Sequence, residues 1–160
     1  MSEAKMQKTN AMRILERKKI PYRANYYHCE EFIDAIQIAD LLHQDYDQTF
    51  KTLVSVGKSG KYYVFVIPIQ KELDLKAAAK CVNEKSIEML HVKDLKEITG
   101  YIRGGCTAIG MKKEYPTVID SSISGFDEII VSGGALGVQI FISPENFLRA
   151  TNAKTEHITV

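Results

Sequence analysis

Nowhere in these 160 residues does an uninterrupted apolar run reach the length that crosses a bilayer. The polar opening from Met1 to Asn10 also lacks the apolar stretch of a signal peptide. The expectation is a soluble, cytoplasmic protein with no membrane partner. Cysteine is scarce: Cys29, Cys81 and Cys106 form an odd set without a CxxC pair, which argues against a disulfide scaffold and a zinc knuckle. His28, His43, His91 and His157 are scattered, none three to five residues from another, so no metal site is expected. There is no GxSxG, no Walker loop and no HExxH, which leaves serine hydrolase, nucleotide kinase and metalloprotease readings without support. Charge of one sign is lacking too. The formal net charge is +1, so the molecule as a whole exerts no strong field on a polyanion.

What is present is an ordinary globular composition, 45% hydrophobic and 26% charged, without repeats or low-complexity tracts. A chain of this length buries about two thirds of its unfolded surface, enough for one core without staples. One domain is therefore expected over 1–160, with its ordered core over about 8–153.

Glycine is placed with more pattern than the rest. Gly104-Gly105-Cys106-Thr107-Ala108-Ile109-Gly110 follows Arg103, and Ser132-Gly133-Gly134-Ala135-Leu136-Gly137 lies between two apolar runs. Loops of this kind expose backbone, because residues without Cβ reach positive φ and bring N–H groups to a carbonyl, carboxylate or phosphate. They equally serve as tight connections between strands. Lys8, Arg13, Arg17, Lys18, Lys19 and Arg23 form a basic cluster near the start, and Arg103, Lys112 and Lys113 bracket the first glycine loop with no acid between them. Either group suits phosphates, and a solvated helix face accounts for the first equally well.

Local signals predict the elements. Thr9 caps a helix with an apolar stripe through Met12, Ile14 and Leu15 that Pro21 terminates. A strand follows over Tyr22 to Tyr27, then a helix over Ile33 to Leu42. Thr49 to Val56 and Lys61 to Ile67, separated by Gly57-Lys58-Ser59-Gly60, read as the clearest hairpin, with Tyr62 to Ile67 central. Asp74 caps a helix reaching Val82. A short strand spans Ile87 to Leu90, and a helix runs from Lys93 to Gly100. Thr117 to Asp120, Glu128 to Val131 and Val138 to Ile142 are strands, the last pair joined by the second glycine loop, and Ser143-Pro144 opens a final helix. Helices interleaved with hairpins predict an α/β or α+β domain: a mixed, mainly antiparallel, curved, barrel-like sheet flanked by helices.

Among ionisable residues Lys51 stands out, since Phe50-Lys51-Thr52-Leu53-Val54 places a cation inside an apolar strand. Buried, it needs a partner or a pocket; on an edge strand its head reaches water. Cys106 fits a nucleophile if loop amides and Arg103 stabilise a thiolate, and otherwise is a spectator thiol.

These residues, taken in order, resemble the YbaK/EbsC family of free-standing aminoacyl-tRNA deacylases, relatives of the editing domain of bacterial prolyl-tRNA synthetases. The likeness runs through Thr9-Asn10-Ala11-Met12-Arg13-Ile14-Leu15, Phe50-Lys51-Thr52-Leu53, Leu73-Asp74-Leu75-Lys76, Thr99-Gly100-Tyr101, Gly104-Gly105, Gly110-Met111-Lys112-Lys113, Pro116-Thr117-Val118-Ile119-Asp120 and Ser132-Gly133-Gly134. The resemblance implies hydrolysis of cysteine mischarged on proline tRNA, with cysteine tRNA a further substrate, usually in partnership with prolyl-tRNA synthetase. It implies no cofactor and no protein nucleophile: the substrate thiol attacks its own ester, releasing tRNA and a thiolactone. Lys51 then matches the essential lysine that positions the terminal adenosine and its ester. Tyr27, Phe50, Thr52, Gly104, Gly105, Thr107, Gly110, Ser132, Gly133, Gly134, Gly137 and Gln139 match the cradle for the 3′ end. The chain departs from the family pattern at Thr107 and Ala108, where serine and proline are common, and at Ala135 and Leu136, often basic. Gln139 stands where some members have aspartate, and its amide oxygen is able to bond the amino acid's ammonium. The alternative from another class is a non-catalytic module that binds an amino acid, a nucleotide or a regulatory partner, motivated by the lack of a conventional acid–base pair.

Overall fold

The computed structural model describes residues 8–160. Five helices and eight strands alternate: α1 (Asn10–Arg17), β1 (Arg23–Tyr26), α2 (Ala35–Leu41), β2 (Phe50–Gly57), β3 (Tyr62–Pro68), α3 (Leu75–Cys81), β4 (Ile87–Met89), α4 (Val92–Thr99), β5 (Thr117–Asp120), β6 (Ile129–Ser132), β7 (Val138–Ile142), α5 (Pro144–Thr151) and β8 (Lys154–Glu156), with a 3-10 helix over Ser121–Gly125. Side-chain caps start four of the helices. Thr9, Asp34, Asp74 and Ser143 accept from the amides of Met12, Ile36, Ala77 and Asn146, and proline occupies the first position of α5.

The strands form two sheets, not a closed barrel. One is antiparallel in the order β1-β7-β6; the other is mixed, in the order β4-β2-β3-β5-β8, with β3, β5 and β8 parallel. Strand β3 reads as a continuous apolar run because both of its faces are covered. Val64 and Val66 point into the larger core with Ile119, Ile129, Val131, Ile140, Ile142, Met12, Leu15 and Phe147. Tyr63, Phe65 and Ile67, one residue out of phase, enter a second core with Ala78, Ala79, Val118 and Ile158.

Chain ends mark the main difference from the expectation. The fold continues past 153: β8 pairs with β5, Ile158 is fully buried, and the amide of Asp74 donates to the Ile158 carbonyl at 2.7 Å. Lys154, Thr155 and Glu156 are all exposed, so β8 carries no apolar alternation for a sequence pattern to detect.

The two sheets meet where β2 begins. Thr49 bridges to Ile130, and the Ile130 amide donates to the Gln48 carbonyl at 3.0 Å. Strand β4 covers only the far end of β2, opposite Ser55 to Gly57. The Phe50–Leu53 stretch therefore has β3 on one side and, on the other, the gap between the sheets.

Candidate functional site

That gap is a cavity of about 310 Å³, lined from β2 by Phe50, Lys51, Thr52 and Leu53, from the β6–β7 hairpin by Ser132 and Gln139, and from the first glycine loop by Arg103, Gly104 and Cys106. Tyr27 also lines it, and Phe32, Asp34 and Ile38 form the wall at the start of α2. Among the described residues, no group of three or more His, Cys, Asp or Glu side chains is placed to hold a metal ion, and no helix is long and apolar enough to cross a membrane.

Lys51 is half-buried on this wall, and no side-chain hydrogen bond or ion pair engages it among the described residues. Burial pulls its ammonium below the ordinary lysine value, and the fields of Asp34 and Glu72 only partly oppose this. Tyr27 is held as a neutral phenol: burial, with a smaller contribution from Cys29, pushes it up to about 12, against a bond from the Gly137 backbone. The Cys106 thiol is pushed up to about 11 by burial, with a hydrogen bond from the Thr99 side chain opposing. A thiol in that condition is protonated at neutral pH, which removes the thiolate that a cysteine nucleophile requires.

The two glycine loops are packed against each other. A Cβ on Gly105 would lie 2.9 Å from the Ala135 Cα, and the Ser132 hydroxyl donates to the Gly104 carbonyl at 3.4 Å. Gly104 has φ +86°, and a side chain there would meet Leu136 at 2.8 Å and the Phe32 ring at 3.1 Å. The loops meet, but most of their residues pack elsewhere than on the cavity. Of the cradle residues expected from sequence, Tyr27, Phe50, Lys51, Thr52, Gly104, Ser132 and Gln139 line the space, whereas Gly105, Thr107, Gly110, Gly133, Gly134 and Gly137 do not. Thr107 is buried and accepts from the Ile109 amide; the Gly110 carbonyl accepts from Asn10; Gly134 packs on Tyr101 and Thr9; Gly133 and Gly137 shape the hairpin against Val138 and Tyr27. The amides of Gly105 and Gly133 already donate to Ile102 and Val138. Lys112 and Lys113 face other depressions, so of the three cations around the first loop only Arg103 reaches the cavity.

Gln139 is engaged on both ends. Its Oε1 accepts from Asn25 at 3.1 Å and from Gln44 at 2.8 Å, while its Nε2 donates to the Gln44 Oε1 at 2.9 Å. Both acceptor positions of that oxygen are occupied in this arrangement, by Asn25 and Gln44.

Pattern reading left out Phe32, Ile33, Asp34, Ala35 and Ile38 from the 28–38 segment and Leu95 from α4, as well as Thr49, Leu53, Ile69, Val131 and Val138 beside the strands. One signal was available. Phe32-Ile33 is an apolar pair in an otherwise polar stretch after β1, and Phe32 remains 41% exposed.

Over residues 29–150 the sequence matches the profile of the aminoacyl-tRNA editing domain. The chain belongs to the aminoacyl-tRNA editing family. A relative from Enterococcus faecalis (strain ATCC 700802 / V583), EbsC, provisionally named a Cys-tRNA(Pro)/Cys-tRNA(Cys) deacylase, is 46% identical over 154 residues, covering 96% of this chain and 94% of its own. Among solved structures, one described as a provisional trans-editing enzyme for prolyl-tRNA synthetase superposes with a TM-score of 0.84 at 22% identity, over 100% of this chain and 99% of that one. A scaffold used for epitope grafting matches with TM-score 0.84 at 21% identity, over the same shares of the two chains. Likeness at that identity is a likeness of fold, and editing-family membership rests on the profile and on the Enterococcus relative.

Proposed function

We propose that this editing-family protein is a trans-acting deacylase that removes cysteine from mischarged tRNA, proline tRNA first and cysteine tRNA as a further substrate, with the substrate's own thiol as nucleophile. The observation that carries this reading is a cavity holding one half-buried, unpaired lysine and no activated nucleophile: Lys51 is present, and the one cysteine on the wall is a neutral thiol.

In the reaction, a C–S bond forms between the cysteine sulfur and its acyl carbon, the C–O ester bond breaks, and the thiol proton ends on the departing ribose oxygen through solvent. The products are free tRNA and a cysteine thiolactone. Such a step needs orientation more than acid–base machinery, because a well-placed intramolecular nucleophile already recovers much of the barrier. Lys51 holds the ester end through its ammonium. Developing charge on the carbonyl oxygen is met by main-chain amides on the glycine wall. The amides of Gly104 and Cys106 suit that role, since neither donates to another group among the described residues. The Tyr27 phenol, neutral at working pH, supplies a further donor.

The even charge balance argues for delivery of the substrate by a partner, since affinity for RNA phosphates grows with the number of cations set against them. Prolyl-tRNA synthetase is the partner that fits a mischarged proline tRNA.

The test compares release of cysteine and of serine from proline tRNA. Wild type accelerates loss of cysteine over buffer and leaves serine in place, because a hydroxyl is the poorer nucleophile. Cys106→Ser keeps the activity, whereas a collapse in that variant would transfer the chemistry to a protein thiol. Saturable binding without turnover on charged tRNAs would instead mark a regulatory module.

A further inference from the structure

One cation on the cavity rim is left over by this mechanism. Arg103 lies at the mouth with its guanidinium carbon 3.9 Å from the centroid of the Phe32 ring. Both residues line the cavity and both are exposed. Arg103 has no carboxylate partner among the described residues, and none of its N–H groups donates to another protein group there. The ring attracts the cation through its face, and the guanidinium N–H groups keep their capacity to donate to a ligand. Phe32 in turn packs beside Gly104, where an added Cβ would stand 3.1 Å from its ring. The result is an oriented fork of donors beside the opening, on the same loop that forms the wall near Lys51.

A planar, permanently charged fork held in this way matches a phosphodiester better than a carboxylate-free amino-acid side chain or a neutral ribose. An aminoacylated 3′ end that seats its ester against Lys51 carries its nearest anion at the phosphate 5′ of the terminal nucleoside, the group that leads out of the cavity. We propose that Arg103, seated over Phe32, binds the phosphodiester that joins the last two nucleotides of the tRNA, and so fixes how deep the terminal adenosine enters. The assignment rests on the deacylase reading and adds to it a residue outside the lysine and glycine cradle. It also makes the cavity selective for a nucleic-acid end over a free aminoacyl ester.

The experiment uses two substrates: cysteinyl-tRNA(Pro) and 3′-O-cysteinyl adenosine, which has the ester and the base but no phosphate. For wild type and Arg103→Ala, kcat/KM is measured on each above the buffer rate. The ratio of tRNA to adenosine ester falls about tenfold in Arg103→Ala, the size expected for loss of one charge-assisted contact. The salt dependence of kcat/KM on tRNA becomes shallower by about 0.7 in log–log slope, one single-strand phosphate's worth, while Arg103→Lys keeps the wild-type slope because it keeps the charge. An unchanged ratio or an unchanged slope in Arg103→Ala overturns the phosphate contact and leaves the deacylase reading standing. Failure of wild type to hydrolyse either ester overturns the deacylase reading and this assignment with it.

Discussion

The side-chain amides of Gln44 and Gln139 face each other as a reciprocal pair, each donating to the other's oxygen, at 2.8 and 2.9 Å. Ninety-five residues separate them in sequence. Asn25, opposite Gln139 in the β1–β7 register, donates to the same Gln139 oxygen at 3.1 Å. The pair ties the loop after α2 to the hairpin that walls the cavity.

Gln139 is buried, so removing its partner strands polar atoms. Gln44→Ala is expected to lower unfolding stability by about 1 to 2 kcal/mol. A double-mutant cycle with Gln139→Ala in urea unfolding is expected to show a coupling of at least about 0.5 kcal/mol. Additive losses would show that the two amides do not support each other.

Lys51 sits where function and stability pull in opposite directions. Burial disfavours its charged form, so between the depressed folded value and the unfolded value the unfolded chain binds more protons, and stability rises with pH across that window. Lys51→Met removes the buried charge and is expected to raise Tm while lowering kcat/KM for deacylation by about 100-fold, the scale of a lost transition-state donor. The wild-type pH–rate profile is expected to fall on its alkaline side below the ordinary lysine range. A Lys51→Met protein less stable than wild type would show that the ammonium has a stabilising partner in the fold.

The contact between the two glycine loops has its own signature. An added methyl at Gly105 meets backbone at 2.9 Å, whereas one at Gly125 meets nothing within 4 Å. Gly105→Ala is expected to cost about 1 to 3 kcal/mol by forcing the loops apart, and to reduce activity with it, while Gly125→Ala stays within about 0.5 kcal/mol of wild type. Equal thermal shifts in the two variants would mean that the loops yield without cost.

Asp120 fastens the chain's end. Its carboxylate, almost fully buried, accepts from the Ile158 amide at 3.0 Å, from the Ser122 amide at 3.3 Å and from the Thr159 hydroxyl at 3.4 Å. Burial on its own would raise the Asp120 carboxyl, but the Ile158 and Ser122 donors, with the nearby His157, outweigh it and hold the group below its usual range. A depressed carboxylate stabilises the fold above the unfolded value, and that contribution disappears as pH falls through the folded one. Asp120→Asn is expected to lose about 1 to 3 kcal/mol at neutral pH and to flatten the acid limb of stability against pH. An acid limb that stays as steep as in wild type would place the clasp elsewhere.

Local physics was enough for much of this molecule. Thr9, Asp74 and Ser143 are caps because their side-chain oxygens reach amides three residues ahead, and that geometry needs nothing distant. The β2–β3 hairpin was legible because Gly57 and Gly60 interrupt two apolar runs, and β3 was legible as central because both of its faces are apolar. The order of motifs also carried the family, since each motif is a local string. Lys51 was singled out for a similarly local reason, a charge within an apolar strand.

Tertiary structure alone decided which neighbours those strings acquire. Strand β8 is polar and exposed, so only the free edge of β5 makes it a strand. The glycines looked alike in sequence, yet Gly104 faces the cavity while Gly105 is pressed against Ala135, because a loop's two sides are sorted by what packs on it. The amide partners of Gln139 and the ring beneath Arg103 come from segments far away along the chain. Side-chain spacing reports periodicity within one element; distances across the gap between two sheets depend on how every strand is paired, and that pairing is set by burial of the core as a whole.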